Sequence, residues 1–396
     1  MRVDLLSREY PPEVYGGAGV HVAELVRSLR KHDTDVRFAR SACPARREGV
    51  ASYLVPPELA GANPALSTLG VDLQMARDVE GADLVHSHTW YANAAGQVAS
   101  LLYGIPHVVT AHSLEPLRPW KAEQLGGGIP ALQLDRGDRV RGRGQDHRGE
   151  RGDAPRHPAL LSPSWTPRRS RWSTTAIDLE TWKPNPDTGL TSALGIDPSR
   201  PSIVFVGRIT RQKGLPYLIR ARGPVAAGSA ADPSARGRRT PPEILDEVRE
   251  GVAALQLLRT GVIWIDRLLG QAELRAVLTS ATTFVCPSIY EPLGIVNLEA
   301  MACGVPVVGT ATGGIPEVVA DGVTGRLVPI EQADDGTGTP LDPDRFVADL
   351  AAALIAVVSN PRAAKKMGAA GRARAEALFS WDRIALRTKE IYASLL

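Results

Sequence analysis

One stretch decides the fold: Ser202-Ile203-Val204-Phe205-Val206-Gly207-Arg208-Ile209-Thr210-Arg211-Gln212-Lys213-Gly214. Its apolar first part predicts a buried strand of a parallel sheet, because such strands are short, apolar and bounded by glycine. A strand that ends at Gly207 places Arg208 at the carboxyl edge of the sheet, where open α/β proteins bind ligands. Arg208 offers a planar fork of donors and Lys213 a point charge, so together they suit a diphosphate. A solvated basic loop is the alternative interpretation.

The rest of the chain repeats this alternation of short apolar runs and longer amphipathic ones, which predicts βαβ units and a parallel sheet. A length of 396 residues exceeds one ordinary core and favours two α/β domains. Strands are expected at 3–6, 83–86, 107–111, 202–206, 283–286 and 305–309. Helices are expected at 20–30, 242–257, 271–280, 293–303, 345–358 and 381–396.

The composition excludes several classes of protein. Three cysteines without a C-x-x-C pair argue against a disulfide framework or a zinc knuckle, and a net charge of +3 is small for this length. The N-terminus is charged too early for a signal peptide, and no run approaches the roughly 20 apolar residues that span a bilayer. We therefore expect a soluble, cytoplasmic protein with no membrane partner.

A glycine loop, Gly16-Gly17-Ala18-Gly19, follows the first expected strand. Glycines let backbone N–H groups approach an anion, and the start of the next helix adds a favourable dipole. The loop therefore favours contact with a phosphate or sugar, and a plain tight turn is the alternative.

Two glutamates flank or occupy the helix expected after Ser288-Ile289-Tyr290-Glu291-Pro292. Glu299 follows Glu291 by eight residues, roughly 12 Å along a helix axis. That separation suits the two ends of a nucleotide-sugar, with Glu299 accepting from ribose hydroxyls and Glu291 from hexose hydroxyls. A helix cap for Glu291 and a surface position for Glu299 are the alternatives, although the apolar neighbours of Glu299 disfavour the latter.

Histidines stand at the ends of two adjacent expected strands, in His86-Ser87-His88 and in Thr110-Ala111-His112. Their juxtaposition favours a functional site over a purely structural one. Because neither a carboxylate nor a cysteine recurs nearby at ligand spacing, a metal site is disfavoured. The pairs Asp33/Asp35 and Asp342/Asp344 lie in polar connecting segments and are discounted. We expect no metal and no cofactor.

Two stretches break the pattern. Residues 135–172 carry ten arginines without apolar periodicity, and residues 220–240 contain one valine and no leucine, isoleucine, phenylalanine or methionine. Taken alone, this composition is typical of flexible basic linkers.

Taken together, Glu9-Tyr10-Pro11-Pro12 with Gly16-Gly17, the run 207–214 and the Glu291/Glu299 helix resemble GT-B retaining glycosyltransferases, specifically bacterial glycogen synthases. The stretch 110–128 is similar to the actinobacterial type, which makes α-maltose 1-phosphate from ADP-glucose and glucose 1-phosphate. The resemblance covers about residues 1–128, 176–219 and 241–396. It implies two Rossmann-like domains, 1–180 and 181–380, with parallel sheets facing across a cleft, and a helix at 381–396 that crosses back to the first domain.

The resemblance also implies what the chain does and which residues do it. Glucose would move from ADP-glucose in α-1,4 linkage to glucose 1-phosphate or glycogen, without metal and with retained anomeric configuration. The implied catalytic residues are His112, Arg208, Lys213 and Glu291. The implied donor-binding residues are Gly16, Gly17, Arg208, Lys213, Gly294, Ile295, Val296 and Glu299.

The two anomalous stretches fall where that family has ordinary strands and helices. We interpret segments 129–175 and 220–240 as translated out of frame, since flanking motifs are intact. Three other functions stay open: a UDP-sugar-dependent transferase acting on another acceptor, a sugar-nucleotide epimerase, and a nucleic-acid-binding protein using 135–172 as a basic arm. The last lacks interleaved aromatic residues, so no nucleic-acid partner is expected. The expected partners are a nucleotide-sugar and a sugar acceptor, and assembly as a homo-oligomer stays open.

Overall fold

The computed structural model describes residues 1–11, 14, 17–41, 50–110, 112, 160–161, 176–221, 229–230, 242–267, 269–291, 294–333 and 338–396. The chain forms two compact units. The first comprises Met1–Ser173 and Ala385–Leu396, and the second comprises Thr174–Ile384.

The first unit is built on a six-stranded sheet of order β3-β2-β1-β4-β5-β6. Its strands are β1 (Arg2–Ser7), β2 (Asp35–Ser41), β3 (Val50–Tyr53), β4 (Leu84–His88), β5 (His107–Thr110) and β6 (Leu160–Leu161). The first five are parallel, and β6 pairs antiparallel with β5. Its helices are Gly17–Lys31, Pro64–Arg77, Trp90–Tyr103 and, from Ala385 onward, the last part of Trp381–Ala393.

Burial explains why these residues form this sheet. Both central strands are almost fully buried, as expected for parallel strands covered on two faces. The helix Gly17–Lys31 places apolar side chains at helical spacing against the sheet, and all are buried: Val22, Leu25, Val26 and Leu29.

The second unit contains a five-stranded sheet of order β11-β10-β9-β7-β8, parallel throughout. The strands are β7 (Ile203–Val206), β8 (Ser229–Ala230), β9 (Thr283–Cys286), β10 (Val307–Thr310) and β11 (Gly325–Val328). The helices are Thr188–Ala193, Leu215–Arg220, Pro242–Leu258, Gln271–Ser280, Ile295–Ala302, Ile315–Val318, Pro343–Val358 and Pro361–Leu378. Since β8 lies on one side of β7 and β9 on the other, the strand order reverses between β7 and β9, where such sheets bind ligands.

Strands β7, β9 and β10 each contribute to two cores. Val204 and Val206 enter one apolar cluster, whereas Ile203 and Phe205 enter another. This alternation is the two-residue period of a strand whose faces are both covered by helices.

The expected strands and helices are present, with ends shifted by at most three residues. Strands β2, β3 and β11 were not expected from the sequence, and neither were six helices: Pro64–Arg77, Trp90–Tyr103, Thr188–Ala193, Leu215–Arg220, Ile315–Val318 and Pro361–Leu378. Most of segments 129–175 and 220–240 lies outside the described residues. Within them the structure describes β6 and β8, which are two-residue strands at the end of each sheet.

Within the described part of the chain, no single helix has the length and apolarity needed to cross a membrane. The bent pair Pro343–Val358 and Pro361–Leu378 meets that test by length and composition only.

Candidate active site

Two loops meet at the carboxyl edge of the second sheet, one after β7 and one after β9. The backbone N–H of Ile289 donates to the carbonyl oxygen of Gln212 at 2.9 Å. The Gln212 side chain in turn donates from Nε2 to the carbonyl oxygen of Tyr290 at 2.9 Å. These bonds fix the 207–214 loop beside the 287–291 loop at the point where the strand order reverses.

A buried ion pair joins the two loops. Nζ of Lys213 lies 2.5 Å from Oε2 of Glu291, and the Ser288 hydroxyl donates to the same oxygen at 3.2 Å. The Lys213 and Glu291 side chains are only 14% and 10% exposed. Burial is the largest influence and lowers the pKa of Lys213, but the negative charge of Glu291, the neighbouring Cys286 and the hydrogen bond to Glu291 together outweigh burial, so the pKa stands above its ordinary value. Lys213 is therefore held as a cation at this edge.

Glycines let the loops approach each other this closely. Gly214 has φ +65°, and a Cβ there would lie 1.9 Å from the carbonyl oxygen of Pro287. Gly313, in the loop after β10, has φ +56°, and its Cβ would lie 2.2 Å from the carbonyl oxygen of Glu291. That same oxygen accepts a bond of 2.8 Å from the N–H of Gly314. Three strand ends thus converge on Glu291.

The helix with the second predicted glutamate starts later than expected. It spans Ile295–Ala302, after Gly294 at φ +65°, so Glu291 lies in the loop and not directly before the helix. The spacing of 12 Å along one axis was therefore wrong as a geometric argument, because a left-handed residue separates Glu291 from the helix. Glu299 does lie on that helix, and Ile295 and Val296 form its first turn, where backbone N–H groups lack partners within the helix.

Arg208 follows β7 at the same edge and is partly buried. Its positive charge opposes the protonation of Lys213 and so tends to lower the pKa of that amine. Two cations, Arg208 and Lys213, are thus concentrated at the carboxyl edge of one sheet, which favours an anionic ligand.

The first sheet carries the predicted histidines at its carboxyl edge. β4 and β5 are neighbouring parallel strands, which confirms the expectation that their ends adjoin. Nδ1 of His88 and Nε2 of His112 are 2.9 Å apart and share a hydrogen bond. His86 bonds through Nδ1 to the hydroxyl of Tyr392 at 2.6 Å and through Nε2 to Oγ1 of Thr110 at 2.7 Å. The C-terminal helix therefore contacts this edge through Tyr392.

A third histidine, His21, joins His88 and His112, and the sequence analysis missed it. It lies on the buried face of the helix Gly17–Lys31, and its ring centroid is 5.0 Å from that of His112. The available signal was a polar residue beside Val22, within the apolar stripe of that helix. Burial lowers the pKa of His21 to about 4, and burial also lowers the pKa values of His88 and His112 well below the ordinary value. All three rings are therefore neutral at neutral pH.

Backbone strain marks the same edge. Thr89, the residue after His88, has φ +64° and ψ 165°. A β-branched residue avoids this region, which is populated almost entirely by glycine, and the conformation costs about 1–3 kcal/mol. Such strain is typical of positions that a functional site constrains.

The remaining predicted residues belong to the glycine loop. Gly16 lies outside the described residues, and Gly17 is the first residue of the helix Gly17–Lys31. The helix start that would face a phosphate is therefore present in the first unit.

Comparisons with known proteins agree with this geometry. The model described as "Glycosyltransferase Family 4" matches residues 15–140, and that described as "Glycosyl transferases group 1" matches residues 200–360. α-Maltose-1-phosphate synthases from Mycolicibacterium smegmatis and Mycobacterium tuberculosis are 47% and 49% identical to the chain, over 99% of it and 99% of each relative. The solved structure of sucrose-phosphate synthase from Thermosynechococcus elongatus matches with TM-score 0.69 at 21% identity, over 100% of this chain and 99% of that one, and supports the fold.

These matches extend over nearly the whole chain. The chain therefore belongs to the GT-B glycosyltransferases, in the family of the α-maltose-1-phosphate synthases, and it is a hexosyltransferase.

Proposed function

We propose that the chain transfers glucose from ADP-glucose to glucose 1-phosphate in α-1,4 linkage, giving maltose 1-phosphate and ADP, with α-glucan ends as further acceptors. The observation that carries this proposal is the 47–49% identity to the two mycobacterial synthases over 99% of the chain. The matched region covers both sheet edges, which is where the substrates of such a fold are bound.

The second unit is proposed to hold the donor. Arg208 and Lys213 neutralise the diphosphate and the charge that grows on it as it departs, which is the largest contribution such a site can make. Glu291 keeps Lys213 in place through Oε2, and its Oε1 is assigned to a hexose hydroxyl. The N–H groups of Gly294, Ile295 and Val296 face the transferred glucose, and Glu299 accepts from the ribose.

The first unit is proposed to act near the reacting carbon. A neutral imidazole can both donate and accept a hydrogen bond, so His112 suits a sugar hydroxyl. His88 orients the His112 ring through their 2.9 Å bond. Gly16 and Gly17 are assigned to the phosphates at the start of the first helix.

The reaction is proposed to retain configuration without a metal. The bond between C1 of glucose and the ADP oxygen breaks while C1 bonds to the acceptor 4-hydroxyl oxygen on the same face. The hydroxyl proton passes to an oxygen of the departing phosphate. No protein group then needs to act as a strong base, which agrees with the neutral histidines of the first unit.

A product assay tests the proposal. The purified chain is incubated with ADP-glucose or UDP-glucose, each with glucose 1-phosphate, with glycogen or without acceptor, in buffer containing a metal chelator. We expect maltose 1-phosphate and ADP from the first donor and acceptor, with α configuration by nuclear magnetic resonance. Arg208→Ala should lower the rate about 10²–10³-fold. Faster turnover of UDP-glucose, or donor consumption without an acceptor product, would contradict the assignment.

A further inference from the structure

Three histidines from three separate elements converge in the first unit. His21 comes from the first helix, His88 from the end of β4 and His112 from the segment after β5. One ring nitrogen of each lies within 4.8 Å of the others, and all three side chains are buried.

The protonation state of these rings leaves them able to bind a cation. A metal ligand must be a neutral imidazole with an available lone pair. Burial lowers the pKa of each ring, so each is neutral well below pH 7.

We propose that His21, His88 and His112 form a binding site for a divalent transition-metal ion, Zn²⁺ in the first place. Three imidazoles with an open fourth position are a donor set that Zn²⁺ takes in proteins, whereas Mg²⁺ and Ca²⁺ require oxygen ligands.

The observed spacing suits such an ion. Two nitrogens at about 2.0–2.1 Å from a tetrahedral ion lie about 3.3 Å apart. Nδ1 of His88 and Nε2 of His112 are 2.9 Å apart, so they need to separate by a few tenths of an ångström. The ion then replaces the hydrogen bond between the rings, and each ring stays neutral with its single proton on the other nitrogen.

The site makes the metal an inhibitor and not a cofactor. An ion bound to His112 withdraws that ring from the sugar, so metal binding and glucosyl transfer exclude each other. This consequence rests on the proposed role of His112, whereas metal binding itself does not.

Direct binding tests the site without any substrate. The full chain is stripped with chelator and titrated with Co²⁺, whose visible absorption reports tetrahedral nitrogen ligands, and Zn²⁺ is then added as competitor. We expect saturation at one ion per chain, displaced by Zn²⁺. His21→Gln and His88→Gln should each weaken binding at least about tenfold. The matched control is His32→Gln, which removes an imidazole outside the cluster and should leave the binding curve unchanged.

Several outcomes would overturn the site. Absence of saturable Co²⁺ or Zn²⁺ binding by the folded wild-type chain is one, and it does not depend on any variant. Equal binding by wild type, His21→Gln and His88→Gln is another, because it places the ion elsewhere. In a second step, Zn²⁺ should inhibit sugar transfer, and His21→Gln should need at least about tenfold more Zn²⁺ for the same inhibition. Metal binding without inhibition would leave the site standing and remove His112 from the reaction.

Discussion

The two units use the same part of a parallel sheet in opposite ways. At the edge of the second sheet, Lys213 and Glu291 are buried as charges and neutralise each other at 2.5 Å. At the edge of the first sheet, His21, His88 and His112 are buried without charge, because burial lowers their pKa values. The edge of the second sheet thus keeps charged side chains by pairing them, whereas the buried histidines at the edge of the first sheet are uncharged.

The difference shows what each edge can bind. A lysine in an ion pair remains a cation, so it can interact with a phosphate in place of part of its interaction with the carboxylate. Neutral imidazoles exchange hydrogen bonds with hydroxyl groups, or bind a metal ion, but do not attract an anion over distance. The charged edge suits the diphosphate end of a donor, and the neutral edge suits a sugar.

Breaking the ion pair should give the largest effect. Lys213→Met leaves the carboxylate of Glu291 buried, and within the described part of the chain the Ser288 hydroxyl is then the one side-chain donor left to Oε2. We expect the free energy of unfolding to fall by about 3–5 kcal/mol, because an unpaired buried charge is much worse than no charge. Glucosyl transfer should fall at least about 100-fold. Urea denaturation and initial rates measure the two effects.

Two controls distinguish the effect of breaking the ion pair from the effect of removing the lysine. The double variant Lys213→Met/Glu291→Gln removes both charges and should recover most of the stability but none of the activity. Arg267→Met breaks the more exposed pair Arg267–Glu273 and should leave the free energy of unfolding almost unchanged. Equal destabilisation by Lys213→Met and Arg267→Met would mean that the Lys213–Glu291 pair is not a buried pair.

The contrast between the edges was only partly predictable from the sequence. The end of β7 was predictable, because the apolar run Ile203–Val206 stops at Gly207, which is typical of a parallel strand. That Lys213 would pair with Glu291 was not, since 78 residues separate them and nothing local specifies a contact between two loops. His21 was missed for the same reason, because its partners come from β4 and the segment after β5.

The missed elements also have physical causes. The helix Pro361–Leu378 buries only alanine and glycine, so it lacks the large apolar residues that reveal a helical period: Ala364, Gly368, Gly371 and Ala375. β2, Asp35–Ser41, carries Asp35, Arg37 and Arg40 among its apolar residues, so it lacks the continuous apolar run of a fully buried strand. Its position beside β1 comes from the pairing of Val3 with Val36 along the register, not from its own composition.

The buried, uncharged histidines at the edge of the first sheet should make the free energy of unfolding depend on pH. The pKa of His21 is about 4 in the folded chain and 6.5 ordinarily, so between these values the unfolded chain binds more protons. Stability is therefore complete above pH 6.5 and is lost as pH falls towards 4. Each such proton contributes at most about 1.4 kcal/mol per pH unit. His86, His88 and His112 act in the same direction.

Urea denaturation at pH 7 and pH 5 measures this dependence. Both pH values lie above the ordinary pKa range of carboxylates, so the change in stability reports the histidines. His21→Gln removes one titrating ring and should reduce the slope by up to about 1.4 kcal/mol per pH unit. A wild-type chain equally stable at both pH values, or a His21→Gln chain with the wild-type slope, would show that the imidazoles are not buried as neutral groups.

The backbone differs between the edges as well. The loops of the second sheet place glycine at positive φ, at Gly214 and Gly313. The first sheet places Thr89 there, at φ +64°, beside His88. The loops at the edge of the second sheet therefore adopt positive φ without steric cost, whereas the backbone of Thr89 at the edge of the first sheet is strained.

Thr89→Gly measures that strain and is the smallest of the expected effects. Glycine relieves about 1–3 kcal/mol of backbone strain and costs about 0.5–1 kcal/mol in unfolded-chain entropy, so the variant should be about 1 kcal/mol more stable. Thr89→Ala is the matched control, because it removes the hydroxyl and methyl but keeps a Cβ at the same φ.

Among the described residues Oγ1 of Thr89 is buried without a hydrogen-bond partner, so the control also tests whether that hydroxyl is the source of the cost. If alanine stabilises the chain as much as glycine does, the cost lies in the hydroxyl and the backbone at His88 is relaxed. If glycine stabilises the chain and alanine does not, the cost lies in the backbone of Thr89. If sugar transfer also falls in the glycine variant, because His88 is held less firmly, then Thr89 keeps the edge of the first sheet in its active conformation at the expense of stability.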